Sequence, residues 1–312
     1  MPNRRSKPAP CTDHIRGVED TFNYANLIRN SMSVADILVI KCGNIATSTM
    51  VDLILDETAS REDLRFTILG TGPKMAPEDT ERISRLIPSI QDPNLILLVG
   101  PNAGAPGMVR IRKALKSQIV PWIVISDGPS RKVRNKLKKE GAGYLIMEAD
   151  PLIGARREFL DPTEMAAFNS DVIKVLAATG SFRYLHSQLD QVIESLDQDQ
   201  VYLPRKLVSQ SRSLASAGFR NPFARAKAAT AFRLSKEAAS MNYRACFVEK
   251  DPKKYIRIAA AAHEMVRQAS ILADDAREME KQSNSLLRTP HTKSGKILRK
   301  RSLGQETSGG KK

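Results

Sequence analysis

From Val34 onward the chain alternates short apolar runs with amphipathic stretches. The apolar runs are residues 35–40, 65–69, 95–99, 122–125 and 143–147. Each is nearly continuous and rich in β-branched side chains, the pattern of strands buried on both faces. Between them, residues 46–56, 77–86, 106–116 and 131–140 carry helical periodicity. Repeated βα units of this length predict a parallel sheet with helices on both sides, an α/β fold that is Rossmann-like but non-classical.

Beyond residue 161 the period changes. Helices are predicted over 162–179, 182–196, 222–241 and 257–281, the third of them in an alanine-rich stretch of high helical propensity. Asp161, Pro162 and Glu164 stand as N-cap, first and third helical residues, a capping box with proline where its missing N–H costs nothing. Residues 246–248 and 255–258 read as short strands, so this half is a helical layer with a small β insertion. The divisions that follow are an extension over 1–31, an α/β part over 32–153, a helical part over 154–284 and a basic segment over 285–312.

In doubly wound sheets, ligands bind beyond the carboxyl ends of the strands. Those ends are polar or glycine-rich here: 41–44, 70–74, 100–102, 126–129 and 148–150. Glycine lets backbone approach a ligand, and helix N-termini favour anions. Five such loops on one rim predict a binding edge. No dinucleotide fingerprint or phosphate-binding P-loop is present. Cys42 reads as a small buried side chain or, with a partner base, a nucleophile. His263 reads as a structural hydrogen-bond partner or a substrate contact. Arg156 and Arg157 suit carboxylate or phosphate, or pairing with Glu158, Asp161 or a subunit neighbour.

Charge modifies this picture. The 312 residues carry a net charge of +15. Residues 285–312 hold eight Lys and Arg against Glu306 alone, roughly half of that excess. The segment reads as a solvated, partly mobile tail or as an anion site. With 5% aromatics and no nucleic-acid-binding motif, nucleic acid is not the expected partner. Three scattered cysteines argue against disulfides and against a zinc site. No apolar run is long enough to span a bilayer and no signal peptide is evident, so a cytoplasmic setting is expected.

Many ordered segments together carry a resemblance: Lys41-Cys42-Gly43-Asn44, Lys74-Met75, Pro101-Asn102, the run from Gly154 to Pro162, Leu176-Ala177-Ala178-Thr179-Gly180, Cys246-Phe247-Val248-Glu249, Ala262-His263-Glu264-Met265 and Leu287-Arg288-Thr289-Pro290-His291. From Val34 to about Arg301 the chain resembles the deazaflavin-dependent methylenetetrahydromethanopterin dehydrogenases. The resemblance implies hydride transfer between methylenetetrahydromethanopterin and coenzyme F420, with no metal and no acid–base catalytic residue. It implies a homohexamer built as a trimer of dimers. It also implies a binding set of Lys41, Gly43, Asn44, Lys74, Pro101, Asn102, Asp127, Arg156, Arg157 and His263, with Asp127 and Glu158 acting electrostatically on the cationic product. The sequence departs from the family pattern at Ala46, Gly72-Pro73, Ala103-Gly104 and Glu148, the last reversing a common lysine. Those departures leave open a relative with altered pterin, folate or nicotinamide specificity. A non-catalytic anion- or nucleic-acid-binding protein is the alternative from another class.

Overall fold

The structure, a computed structural model, describes residues 34–90, 92–151 and 161–306. Six parallel strands form one sheet in the order β2-β1-β3-β4-β5-β6. They are β1 Ala35–Lys41, β2 Leu64–Gly70, β3 Leu95–Val99, β4 Trp122–Asp127, β5 Gly143–Met147 and β6 Arg205–Val208. The helices are α1 Ala46–Glu57, α2 Pro77–Leu86, α3 Pro106–Lys116, α4 Arg134–Lys139, α5 Pro162–Ala178, α6 Ser181–Glu194, α7 Gln210–Ala217, α8 Pro222–Phe247 and α9 Pro252–Gln282.

The period of two along each strand sorts side chains between two cores. Ile37, Val39, Leu97 and Val99 face Met50, Ile54, Phe168, Val172 and Leu189 of α1, α5 and α6. Leu38, Ile40, Ile96 and Leu98 face Ile83, Met108, Ile111 and Leu137 of α2, α3 and α4. Outside α5 lie α8 and α9. Ala224, Ala228, Ala231, Ala238 and Ala245 of α8 are fully buried, as are Ala259, Ala262, Ala269, Ala273 and Ala276 of α9. Small side chains let the two long helices approach closely, so alanine is used here for packing as well as propensity.

Three expectations are corrected. β2 is an edge strand with Ile68 51% exposed, not a strand buried on both faces. Residues 246–248 and 255–258 are not strands; they fall at the end of α8 and in the first turns of α9. Asp251 caps α9 by accepting from Lys253 N–H at 3.0 Å, and Pro252 starts it, so the helix absorbs a locally β-like run. The strand of this half is β6, which pairs with β5 from Tyr144–Arg205 to Met147–Val208 and extends the main sheet.

The basic segment also differs from a mobile tail as far as residue 306. Bridges Arg288–Lys300 and His291–Ile297 fold it back on itself around Gly295. It docks through Glu62 N–H to Lys293 O at 2.9 Å.

Candidate functional site

The chain leaves β1 toward β2 and returns to the other side of β1 as β3. Such a reversal is where doubly wound sheets place a ligand crevice, here between the β1 and β3 carboxyl ends. Both loops there are built around backbone that a side chain would obstruct. Gly43 has φ +73°, and a Cβ on it would lie 2.5 Å from the Met75 side chain. A Cβ on Gly100 would lie 2.3 Å from the Cys42 carbonyl oxygen. Gly43 N–H donates to Thr71 Oγ1 at 3.0 Å, and Thr71 Oγ1 donates to the Lys74 carbonyl at 2.6 Å. The loops after β1 and β2 are thereby locked together.

The loops after β3 and β4 are joined the same way. Ser126 Oγ donates to Gly100 O at 2.6 Å, and Ala103 N–H donates to Ser130 Oγ at 2.7 Å. Asn102, at φ +43°, donates its N–H to Asp127 Oδ1 at 2.8 Å. Below them the fully buried Arg112 donates to Ala103 O at 2.7 Å and forks onto Glu140.

Asp127 is 1% exposed. Burial raises its carboxyl to about 7, against the pull of the Asn102 N–H, and the Asp150 charge adds to the rise. Asp150 is itself buried and raised to about 6 by desolvation. Its Oδ2 accepts from Thr47 N–H at 2.8 Å and from the Thr47 hydroxyl. Asp150 therefore caps the start of α1, whose own N-cap residue Ile45 offers no side-chain acceptor. Asp127 Oδ2 and Asp150 Oδ1 have no hydrogen-bond partner among the described residues. Both aspartates line a cleft of about 260 Å³ with Arg131, Lys132, Glu148, Lys236, Ser240 and Tyr243. The Glu148 side chain is 8% exposed and pairs with Lys236 at 2.8 Å and Arg131 at 3.3 Å, so its acidic departure is neutralised locally. The rim reading named Asp150 only as a loop residue; the missing cap at Ile45 was the signal for its role.

Lys41, Gly43, Asn44, Lys74, Pro101, Asn102 and Asp127 all lie at this rim, at the last residues of β1 and β4 and on the loops after β1, β2 and β3. Lys41 is already paired with Asp52 at 2.7 Å. Cys42 is fully buried, and burial pushes its thiol up to about 11, which favours the packing role over nucleophilic chemistry. His263 stands apart on α9. Its ring stacks on Phe168 with centroids 3.9 Å apart, and its Nδ1 lies 3.2 Å from Glu164 Oε1. Burial draws its pKa down while Glu164 opposes the shift. Asp161 caps α5 as its position predicts, accepting from Glu164 N–H at 2.6 Å. Arg156, Arg157 and Glu158 lie outside the described residues.

A second, basic cavity of about 460 Å³ is lined by Arg220, Arg299, Lys300 and Arg301, with Leu287 and polar residues beside them. Nearby Arg183 is drawn down to about 10 by burial and by Arg277, Arg301 and Arg299.

Residues 35–308 match the family profile described as methylene-5,6,7,8-tetrahydromethanopterin dehydrogenase. The F420-dependent methylenetetrahydromethanopterin dehydrogenase of Archaeoglobus fulgidus is 46% identical over 271 residues, covering 86% of this chain and 98% of that protein. The enzyme of the same name from Methanothermobacter marburgensis is 44% identical over 273 residues, with the same coverage. That from Methanopyrus kandleri is 42% identical over 281 residues, covering 88% and 99%. A solved F420-dependent methylene-tetrahydromethanopterin dehydrogenase, in complex with methylene-tetrahydromethanopterin and coenzyme F420, superposes with a TM-score of 0.84. It is 41% identical and covers 88% of this chain and all of its own.

Proposed function

This chain belongs to the methylene-5,6,7,8-tetrahydromethanopterin dehydrogenase family, and from that membership we propose that it is an F420-dependent oxidoreductase. It transfers a hydride reversibly from 5,10-methylenetetrahydromethanopterin to coenzyme F420, giving 5,10-methenyltetrahydromethanopterin and reduced F420. The observation that carries the reading is the rim itself. It presents two buried carboxylate oxygens without hydrogen-bond partners among the described residues, Asp127 Oδ2 and Asp150 Oδ1, beside two backbone turns kept bare by Gly43 and Gly100. Such a set fits flat heterocycles that carry ring N–H groups and must lie close to backbone.

When bound, the deazaflavin supplies the carbon that accepts the hydride. The protein's part is to orient two rings and exclude water. Asn102 and Gly43 hold their loops in left-handed geometry against the crevice. Asp127 places a carboxylate beside the reacting rings, where its negative form favours the cationic product. Lys41, Lys74, Arg156, Arg157 and the cleft cations Arg131 and Lys132 suit the phosphates and carboxylates of the two ligands. Asn44 and Pro101 complete the crevice walls, Glu158 adds negative charge, and His263 orders the start of α5 through Glu164.

The homohexamer, the cytoplasmic setting and the four-part division of the chain belong to the same proposal. Exposed Phe223, Phe247, Val248 and Leu303, each more than half accessible, support burial between subunits. Sedimentation velocity checks the assembly.

The activity test mixes the purified protein with methylenetetrahydromethanopterin and oxidised F420 and follows the visible absorbance of the deazaflavin. Substrate-dependent bleaching is expected. A folded protein that leaves F420 oxidised, with both ligands competent, overturns the proposal.

A further inference from the structure

At the amino edge of the sheet, opposite the rim, four separate pieces of chain meet. Glu57 ends α1, Arg61 leads into β2, His186 and Asp190 lie one turn apart on α6, and His291 comes from the C-terminal hairpin. Glu57 Oε2 lies 2.8 Å from His291 Nδ1 and 3.3 Å from His186 Nε2. One ligand atom from each of the three residues falls within 4.8 Å of the others. Donors bound at zinc distances around a tetrahedral ion are roughly 3.4 Å apart, so the three atoms already approximate one face of such a shell.

The surroundings match what a metal-bound histidine requires. His291 Nε2 lies 3.0 Å from Asp190 Oδ1, and Asp190 Oδ1 also accepts from Arg61 Nη1 at 3.3 Å. A carboxylate on the far nitrogen fixes the tautomer and turns the lone pair of the near nitrogen toward the ion. Two polar atoms here are buried without a hydrogen bond among the described residues: His186 Nε2 and, 3.8 Å from it, Asp190 Oδ2. Charge points the same way. Asp63 and Asp190 pair with Arg61 while Glu57 faces the two histidines, so a dication with neutral imidazoles brings the cluster to neutrality. Two imidazoles and a carboxylate select a transition ion over magnesium or calcium.

We infer that Glu57, His186 and His291 form a binding site for a divalent transition ion of the zinc class, with Asp190 and Arg61 as its outer support. The ion is a structural staple. It fastens the C-terminal hairpin to α1 and α6, at the end of the sheet away from the hydride-transfer rim. The cysteine-based argument against zinc does not reach this site, whose donors are histidine and carboxylate separated by up to 234 residues.

The test uses the full chain purified without chelator. Elemental analysis is expected to find about one zinc per chain. After chelation, titration with Co²⁺ is expected to restore one site with visible ligand-field absorption. Glu57→Gln and His186→Gln should abolish that band, and Asp190→Asn should weaken metal affinity roughly 10–100-fold. F420 reduction should persist in all three. Absence of zinc and of the cobalt band in the wild type overturns the inference, as does equal cobalt uptake by wild type and variants. Should a variant fail to fold, the wild type decides alone. Chelation must lower its melting temperature and zinc must restore it; an unchanged melting temperature refutes the site.

Discussion

Asp127 Oδ1 accepts the backbone N–H of Asn102 at 2.8 Å, joining the end of β4 to the loop after β3. One carboxylate oxygen thus fixes the loop after β3 from the end of β4, and the other has no hydrogen-bond partner among the described residues. Asp127→Ala removes both oxygens. The half-buried Asn102 N–H then lacks its partner, a loss of about 1–3 kcal/mol. Transferred to turnover, that is roughly a ten- to hundredfold fall in kcat/KM. Asp127→Asn keeps an acceptor for Asn102 and should lose kcat while preserving the melting temperature. Steady-state F420 reduction and thermal melts on both variants separate the roles.

The two buried aspartates give stability a definite pH dependence. Their folded pKa values, about 7 for Asp127 and about 6 for Asp150, lie above the ordinary aspartate value. Folding therefore favours their protonated forms. Their contribution is complete below the unfolded pKa near 4 and is lost as pH rises through 6 and 7. Relative to Asp127→Asn/Asp150→Asn, the wild type should lose melting temperature between pH 5 and pH 8. A pH-independent difference between the two proteins contradicts the assignment.

Gly43→Ala should damage the crevice directly. Its φ of +73° is strained for alanine, and the new methyl group meets Met75 at 2.5 Å. The cost is about 1–3 kcal/mol in stability, with a larger effect on activity because the loops after β1 and β2 move together. Comparing urea midpoints with F420 reduction rates measures both. Equal losses in each would reduce the effect to folding alone.

Arg112→Met tests the support under the rim. Removing this buried guanidinium strands Glu140 and the Ala103 carbonyl, a loss of about 3–5 kcal/mol. The double change Arg112→Met/Glu140→Leu should recover part of it. Chemical denaturation of the single and double variants gives the coupling.

The fold was legible where local chemistry and tertiary context agree. Proline at the first position marks the starts of α2, α3 and α5, and those helices begin at Pro77, Pro106 and Pro162. β6 escaped notice because Arg205 and Lys206 leave it only Leu207 and Val208 as apolar signal, and an edge strand needs no more. Cys246-Phe247-Val248 misled for the opposite reason: its β preference is local, whereas the alanine contact between α8 and α9 is long-range. The rim was visible as five polar strand ends, and seven of its residues do meet there. His263 could not be placed, because helical periodicity gives its face but not its neighbours. The Glu57–His186–His291 cluster was invisible because only the folded chain brings those donors together.

β6 has a consequence for how this chain is made. The last strand of the sheet is encoded after α5 and α6, yet it covers the edge of β5. At 5–20 residues per second, a ribosome needs roughly 3–12 s to pass from Met147 to Arg205. Throughout that interval β5 presents open backbone groups to any extended chain nearby. The nascent protein is therefore most exposed to mispairing after its first five strands exist, and synthesis of four residues, Arg205–Val208, ends that hazard.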